Sequence, residues 1–224
     1  MILEEVFPQS GNRALDSESL NTYYPKVDGI RFNFVLSNGI TLDTTSDNST
    51  NKLDRELLKF IRSQSDLIIT TGKTAREENL SASKYAPMLI LTRSPEELDI
   101  PAVHPNEGKP VYITQRLGTE YQSNKAIAIG GVQDELPVFV ESFLRANNFL
   151  YPVLETGVET AKLFAASGVI KEVNLTLTSS TSRVEAEVAA RDFLANLGVE
   201  ALLSQLLKSE DTWLFRFRTS QAIG

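Results

Sequence analysis

The chain has 224 residues, 42% hydrophobic and 23% charged, with no cysteine and one histidine, the proportions of an ordinary globular protein rather than a disordered or fibrous one. Without cysteine there is no disulfide framework, thiolate nucleophile, iron–sulfur cluster or cysteine zinc site, and a lone histidine cannot build a multi-histidine metal centre. A net charge of −7 with no cluster of Lys and Arg speaks against a nucleic-acid partner or an anionic membrane surface, both of which need concentrated positive charge.

No apolar run approaches the ~20 residues of a membrane-spanning helix. The opening Met1-Ile-Leu-Glu-Glu-Val6 places acids where a secretion signal has bases. The expectation is a cytoplasmic protein whose partner is a small molecule or another protein.

In chain order, residues 1–30 read as a polar, irregular arm, and residues 31–220 as one α/β domain. Arg31 to Ser37 is a short apolar strand ending at the turn pair Asn38-Gly39, and residues 43–50 form a polar loop. A helix follows to about Ser63, with Leu53, Leu57, Phe60 and Ile61 on one face. Strands are expected at Asp66–Thr71, Pro87–Thr92, Val111–Thr114, Ala126–Gly130 and Phe149–Leu154. Helices are expected from Asp134 to Asn147 and from Val158 to Ser167, the latter closed by Gly168. Lys171–Thr178 and Thr212–Arg218 alternate with a period of two and read as strands, whereas residues 183–207 look helical in parts, interrupted by Gly198. Strands alternating with short helices predict a mostly parallel central sheet flanked by helices.

Few residues announce chemistry. His104 lies in a Pro- and Gly-punctuated stretch and reads as a solvated loop residue, and no Gly-x-Ser-x-Gly occurs. Asp16 and Glu18 likewise read as solvated surface. Gly72-Lys73-Thr74 ends like a phosphate-binding P-loop, but Leu67 stands where that loop needs its first glycine. What remains is a strand that delivers small and hydroxyl residues to a turn, the end of an open α/β sheet at which ligands bind. Glu155-Thr156-Gly157 has the same relation to its strand and precedes a helix whose N–H groups can meet a phosphate. A Gly-x-Gly-x-x-Gly fingerprint is absent.

The order of the pieces adds a resemblance. Asn33-Phe-Val-Leu-Ser37 with Asn38-Gly39, then Ser46, Asp54-Arg-Glu-Leu57, Ile61-Arg62, Asp66-Leu-Ile-Ile69 and Thr71-Gly-Lys-Thr-Ala-Arg-Glu-Glu-Asn79 follow one another. Glu155-Thr-Gly-Val158, Ala165-Ala-Ser-Gly-Val169, Glu172–Thr178 and Trp213–Arg218 come later. Together they resemble the reductase domain of bacterial riboflavin biosynthesis, a dihydrofolate reductase-like α/β fold also found in stand-alone pyrimidine reductase-like proteins. The resemblance spans roughly residues 24–218. It implies NADPH as cofactor, a homodimer, and hydride transfer to the ribose-derived part of a phosphorylated aminopyrimidine. No metal, cysteine or catalytic histidine is required for that chemistry.

By the same resemblance, Thr71, Gly72, Thr74 and Arg76, with Glu155, Thr156, Gly157 and Val158, line the cofactor. Asn33, Ser37, Asn38 and Ser46 face the substrate, and Glu155 is the nearest matched carboxylate for a catalytic role. The family pattern is altered at these points. An amide, Asn38, replaces an acid, and Thr44, Thr71 and Thr156 stand where glycines are expected. Those changes point to a reductase with an altered substrate, and they motivate a rival reading, a degenerate reductase-fold homodimer that binds or interacts without redox activity.

Overall fold

The computed structural model describes residues 2–37, 40–41, 52–93, 99–104, 107–115, 126–130, 136–178 and 182–220. The predicted turn at Asn38-Gly39, the loop 43–50 and Ser46 lie outside them. The chain divides into two compact units, one made of Met1–Ile61 with Ile170–Gly224, the other of Arg62–Val169.

The first unit contains strands β1 (Ile2–Phe7), β2 (Gly11–Ala14), β3 (Ile30–Ser37), β4 (Ile40–Thr41), β10 (Ile170–Thr178), β11 (Ala201–Ser209) and β12 (Thr212–Thr219), ordered β2-β1-β11-β12-β10-β3 with β4 beside β3. Its helices are α1 (Ser17–Tyr23), α6 (Arg183–Leu197) and most of α2 (Lys52–Gln64). The second unit holds β5 (Leu67–Thr71), β6 (Met88–Leu91), β7 (Val111–Gln115), β8 (Ala126–Gly130) and β9 (Pro152–Glu155), ordered β9-β5-β6-β7-β8. With them are α3 (Gly72–Glu77), α4 (Leu136–Ala146) and α5 (Val158–Ala166).

The expected α/β sheet flanked by helices is present. Every pair in the second unit is parallel. Among the described residues of the first unit β10–β3 is the parallel pair, and β1, β2, β11 and β12 join through antiparallel pairs. For β11 and β12 the reason is local. Glu210 adopts φ +54° in the tight turn between β11 and β12, and strands joined by so short a loop can pair only antiparallel.

Two expectations change here. Residues 1–30, expected to be irregular, supply two strands and a helix. Leu3 of β1 is fully buried, and β1 is paired on both sides, with β2 and with β11. Asp16 is exposed, as expected, and also caps α1 by accepting from the Ser19 N–H at 2.8 Å. The stretch 183–207 is two elements. Ser182 and Glu185 form a capping box that starts α6, and Gly198, at φ +73°, ends it before β11 begins.

β10 separates two chemistries. Val173, Leu175 and Leu177 share a face with Phe32, Phe34 and Leu36 of β3 and with Trp213, Phe215 and Phe217 of β12, all buried. α6 packs on this face, with Phe34 and Phe193 ring centroids 4.9 Å apart. The opposite face carries Glu172, Asn174, Thr176 and Thr178, also buried, where alternation leads one to expect solvent.

Candidate functional site

The polar face of the first unit is built row by row. Glu172 binds two arginines, Arg31 Nε to Oε1 at 2.8 Å and Arg216 Nε to Oε2 at 2.6 Å. Arg216 Nη1 and Arg31 Nη2 donate to the carbonyls of Tyr23 and Pro25, at 2.9 and 2.5 Å, and so hold the end of α1 over the sheet. Burial pulls the Arg31 guanidinium below its ordinary value, and Glu172 opposes that shift. One step along, Asn174 Nδ2 donates to Asn33 Oδ1 at 2.9 Å. A further step along, Thr176 Oγ1 donates to the carboxylate of Asp54 on α2 at 2.8 Å, and both residues are buried. Ser37 is the last residue of β3, in register with Thr178.

Of the residues expected to face substrate, Asn33 therefore lies within this polar face, Ser37 ends its strand, and Asn38 and Ser46 lie outside the described residues. Asp54, Asn174 and Thr176 were missed. Asn174 and Thr176 stand in the alternating strand Glu172-Val-Asn-Leu-Thr-Leu-Thr178, and Asp54 in Asp54-Arg-Glu-Leu57.

In the second unit β5 and β9 are parallel neighbours, with Thr70 opposite Glu155, so their two carboxyl-end turns emerge side by side. Thr71 caps α3: its Oγ1 accepts from Thr74 N at 3.2 Å and lies 3.0 Å from Thr74 Oγ1. Gly72 is a glycine for a packing reason, because a Cβ there would lie 2.7 Å from Thr92 Oγ1 and 2.8 Å from Thr92 Cβ. Thr92 is itself fixed, its N–H donating to Thr114 Oγ1 at 2.7 Å while Thr114 Oγ1 donates to the Thr92 carbonyl at 2.8 Å. Arg76 is exposed, and its Nη1 lies 3.6 Å from the same Cβ position, over the turn.

At the neighbouring turn Glu155 is held by a fork from Arg62: Nε to Oε1 at 2.9 Å and to Oε2 at 3.2 Å, and Nη2 to Oε2 at 2.5 Å. Burial alone lowers the Arg62 guanidinium, but the charge and hydrogen bonds of Glu155 outweigh it and hold the group above its ordinary value. Arg62 is another residue the sequence reading gave no role. Thr156 is buried, and its hydroxyl donates weakly to the Gly157 carbonyl at 3.4 Å. Gly157 is the N-cap of α5, Val158 its first residue, and no side chain caps it. A Cβ at Gly157 would meet nothing within 4 Å. The β5–α3 turn is thus closed on itself, while the β9–α5 turn is open.

Among the described residues no group of three or more His, Cys, Asp or Glu stands close enough to hold a metal ion, and no helix is long and apolar enough to cross a membrane. His104 is exposed, 3.9 Å from Asp99.

No family model matches the sequence, and no curated protein matches it. Solved structures do. A pyrimidine reductase-like protein from Corynebacterium diphtheriae superposes with a TM-score of 0.63 at 15% identity over 90% of this chain and 98% of that one. RibD of Acinetobacter baumannii gives 0.62 at 14% over 90% of this chain, which spans 60% of that protein. The Saccharomyces cerevisiae riboflavin biosynthesis reductase Rib7 gives 0.62 at 11% over 87% of this chain and 90% of that one. The chain has the fold of these pyrimidine reductase-like proteins.

Proposed function

We propose that the chain is a cytoplasmic, homodimeric, NADPH-dependent reductase related to 5-amino-6-(5-phosphoribosylamino)uracil reductase, with a pyrimidine-like substrate. The observation that carries this reading is the open β9–α5 turn set beside a second strand-end turn in a fold shared with pyrimidine reductases.

The residues fit a nicotinamide dinucleotide at one of the two turns. At Gly157 there is room for a phosphate to approach, and the first N–H groups of α5 have no side-chain cap, so they and the helix dipole suit an anion. At Gly72 the space is filled by Thr92. There Thr71 and Thr74 offer hydroxyls, and Arg76, exposed above them, offers positive charge. When bound, the cofactor supplies the hydride. The chain supplies orientation and electrostatics. Glu155, fixed by Arg62, acts as an anchored carboxylate that aligns the turn. Asn33 and Ser37 contact the substrate. Asp54, buried and bonded to Thr176, is the carboxylate of the polar face that carries Asn33.

The rival reading, a reductase fold kept as a binding or interaction protein, draws on the closed β5–α3 turn. Thermal melts with NADPH separate the two. At about a hundredfold its dissociation constant a ligand adds roughly 2.7 kcal/mol of stability, and a saturable rise in Tm with NADPH is expected. No rise with millimolar NADPH or NADH would favour the rival.

A further inference from the structure

The strand order of the second unit ends at β8. This strand, Ala126–Gly130, pairs parallel with β7 on one side and with no strand on the other among the described residues. A free edge carries a row of backbone N–H and C=O groups open to another strand, and proteins ordinarily guard it with charge, proline or brevity. The β2 edge of the first unit is guarded in this way, being four residues long and carrying Arg13. The β8 sequence, Ala-Ile-Ala-Ile-Gly, has neither charge nor proline.

One face of this edge is apolar as well. Ile127 stands opposite Tyr112 of β7 in the register, and Ile129 follows on the same face. Tyr112 is half-buried, packed edge-on against Phe143 of α4 with ring centroids 5.2 Å apart and against Phe149 at 6.4 Å. Ile127 carries this aromatic cluster to the edge and is 46% exposed. An unguarded edge backed by apolar side chains is the pattern of a strand that is paired when the protein works.

The chain itself is a fitting partner for it. A five-residue strand pairs in full with an antiparallel copy of itself only when the two-fold axis passes through its middle residue, here Ala128. Ile127 then stands opposite Ile129 of the partner subunit, and no like charges oppose one another. Such a contact closes on itself and uses up the unguarded edge, so assembly stops at two. β9, whose turn carries Gly157, lies four places from β8 in the strand order, about 19 Å away by strand spacing, so this pairing leaves the β9–α5 turn uncovered.

We propose that β8 is the dimer strand: two chains pair β8 with β8, antiparallel about a two-fold axis at Ala128, and cover Ile127 of each. This rests on the reading of the chain as a homodimer and assigns the surface that makes it.

Sedimentation velocity of the full chain at micromolar concentrations is expected to give twice the chain's mass. Ile127→Lys and Ile127→Glu each remove an isoleucine covered in both copies and set like charges near one another across the axis. Each is expected to raise the dimer dissociation constant about a hundredfold or more, with an unchanged circular dichroism spectrum. An equal mixture of the two variants is expected to regain the dimer, because lysine then meets glutamate across the axis. Leu163→Lys, at an exposed leucine of α5, is expected to leave the dimer intact.

A dimer that survives both Ile127 variants, or that Leu163→Lys dissociates in their place, would overturn this inference and leave the homodimer reading standing. Folded variants that dissociate and do not re-associate when mixed would overturn the pairing through β8. An unaltered chain that sediments as a monomer would overturn the homodimer reading and this inference with it.

Discussion

Removing the Arg62 side chain leaves the Glu155 carboxylate, whose side chain is 13% exposed, without its fork of donors. A buried charge deprived of its partner is costly, and some remaining solvent access reduces that cost. Arg62→Ala is therefore expected to destabilise the protein by about 2 kcal/mol, read from denaturant melts. Glu155→Gln, which keeps the shape and some hydrogen bonds, is expected to cost less. Equal losses would contradict a charge-based role. Gly72→Ala tests a packing claim at the same scale. With Thr92 Cβ 2.8 Å from the added carbon, overpacking of about 1–3 kcal/mol is expected in the unliganded protein. An unchanged Tm would return Gly72 to the role of making room for a ligand. Asp16 carries a pH signature. The Ser19 N–H holds its carboxyl below the usual 3.8, so its folded value lies under its unfolded one. The stabilisation is then full above the unfolded value and lost as pH falls through the folded one. The stability difference between the protein and Asp16→Asn is expected to stay level down to about pH 4 and shrink below it. A difference that grows in acid would show that the charge does not stabilise the cap.

At the scale of elements, the central strands and the helices over 52–64 and 158–166 were legible because each carries its own periodicity. β10 was legible as a strand but not for its surroundings. Period-two alternation reports which residues share a face, not what covers that face. Here the polar side is covered by Asp54 of α2 and by the carbonyls at the end of α1. The Asp54–Thr176 and Arg31–Glu172–Arg216 contacts join residues far apart in sequence, and nothing local encodes them. The β11 strand was hidden because Ala-Leu-Leu-Ser-Gln-Leu-Leu has good helix formers. Pairing with β12 and β1 overrode that propensity. The N-terminal strands were missed for a related reason: β2 is exposed throughout and lacks apolar residues that mark a strand. A chain lacking residues 2–14 would expose Leu3's packing site and the β11 edge. Aggregation or a marked fall in Tm is expected on size-exclusion chromatography and melting. A monodisperse, equally stable product would make this segment dispensable.

For the whole molecule, the fold was legible from the order of short motifs, since those motifs belong to strands and helices that the sheet itself requires. The candidate site was only half legible. Thr71, Gly72, Glu155 and Gly157 do gather at adjacent strand ends, yet the partners that set their behaviour, Arg62 and Thr92, come from other elements. The two turns differ: Thr92 fills the space at Gly72, whereas a Cβ at Gly157 would meet nothing within 4 Å. Whether the open turn serves hydride transfer is the central claim. Its most direct test is incubation of the protein with NADPH deuterated at the transferable C4 position and 5-amino-6-(5-phosphoribosylamino)uracil, with mass spectrometry of the product. A reductase places one deuterium on the former ribose carbon. Protein that is saturated with NADPH, present in amounts equal to the pyrimidine, and still transfers no deuterium would contradict the account.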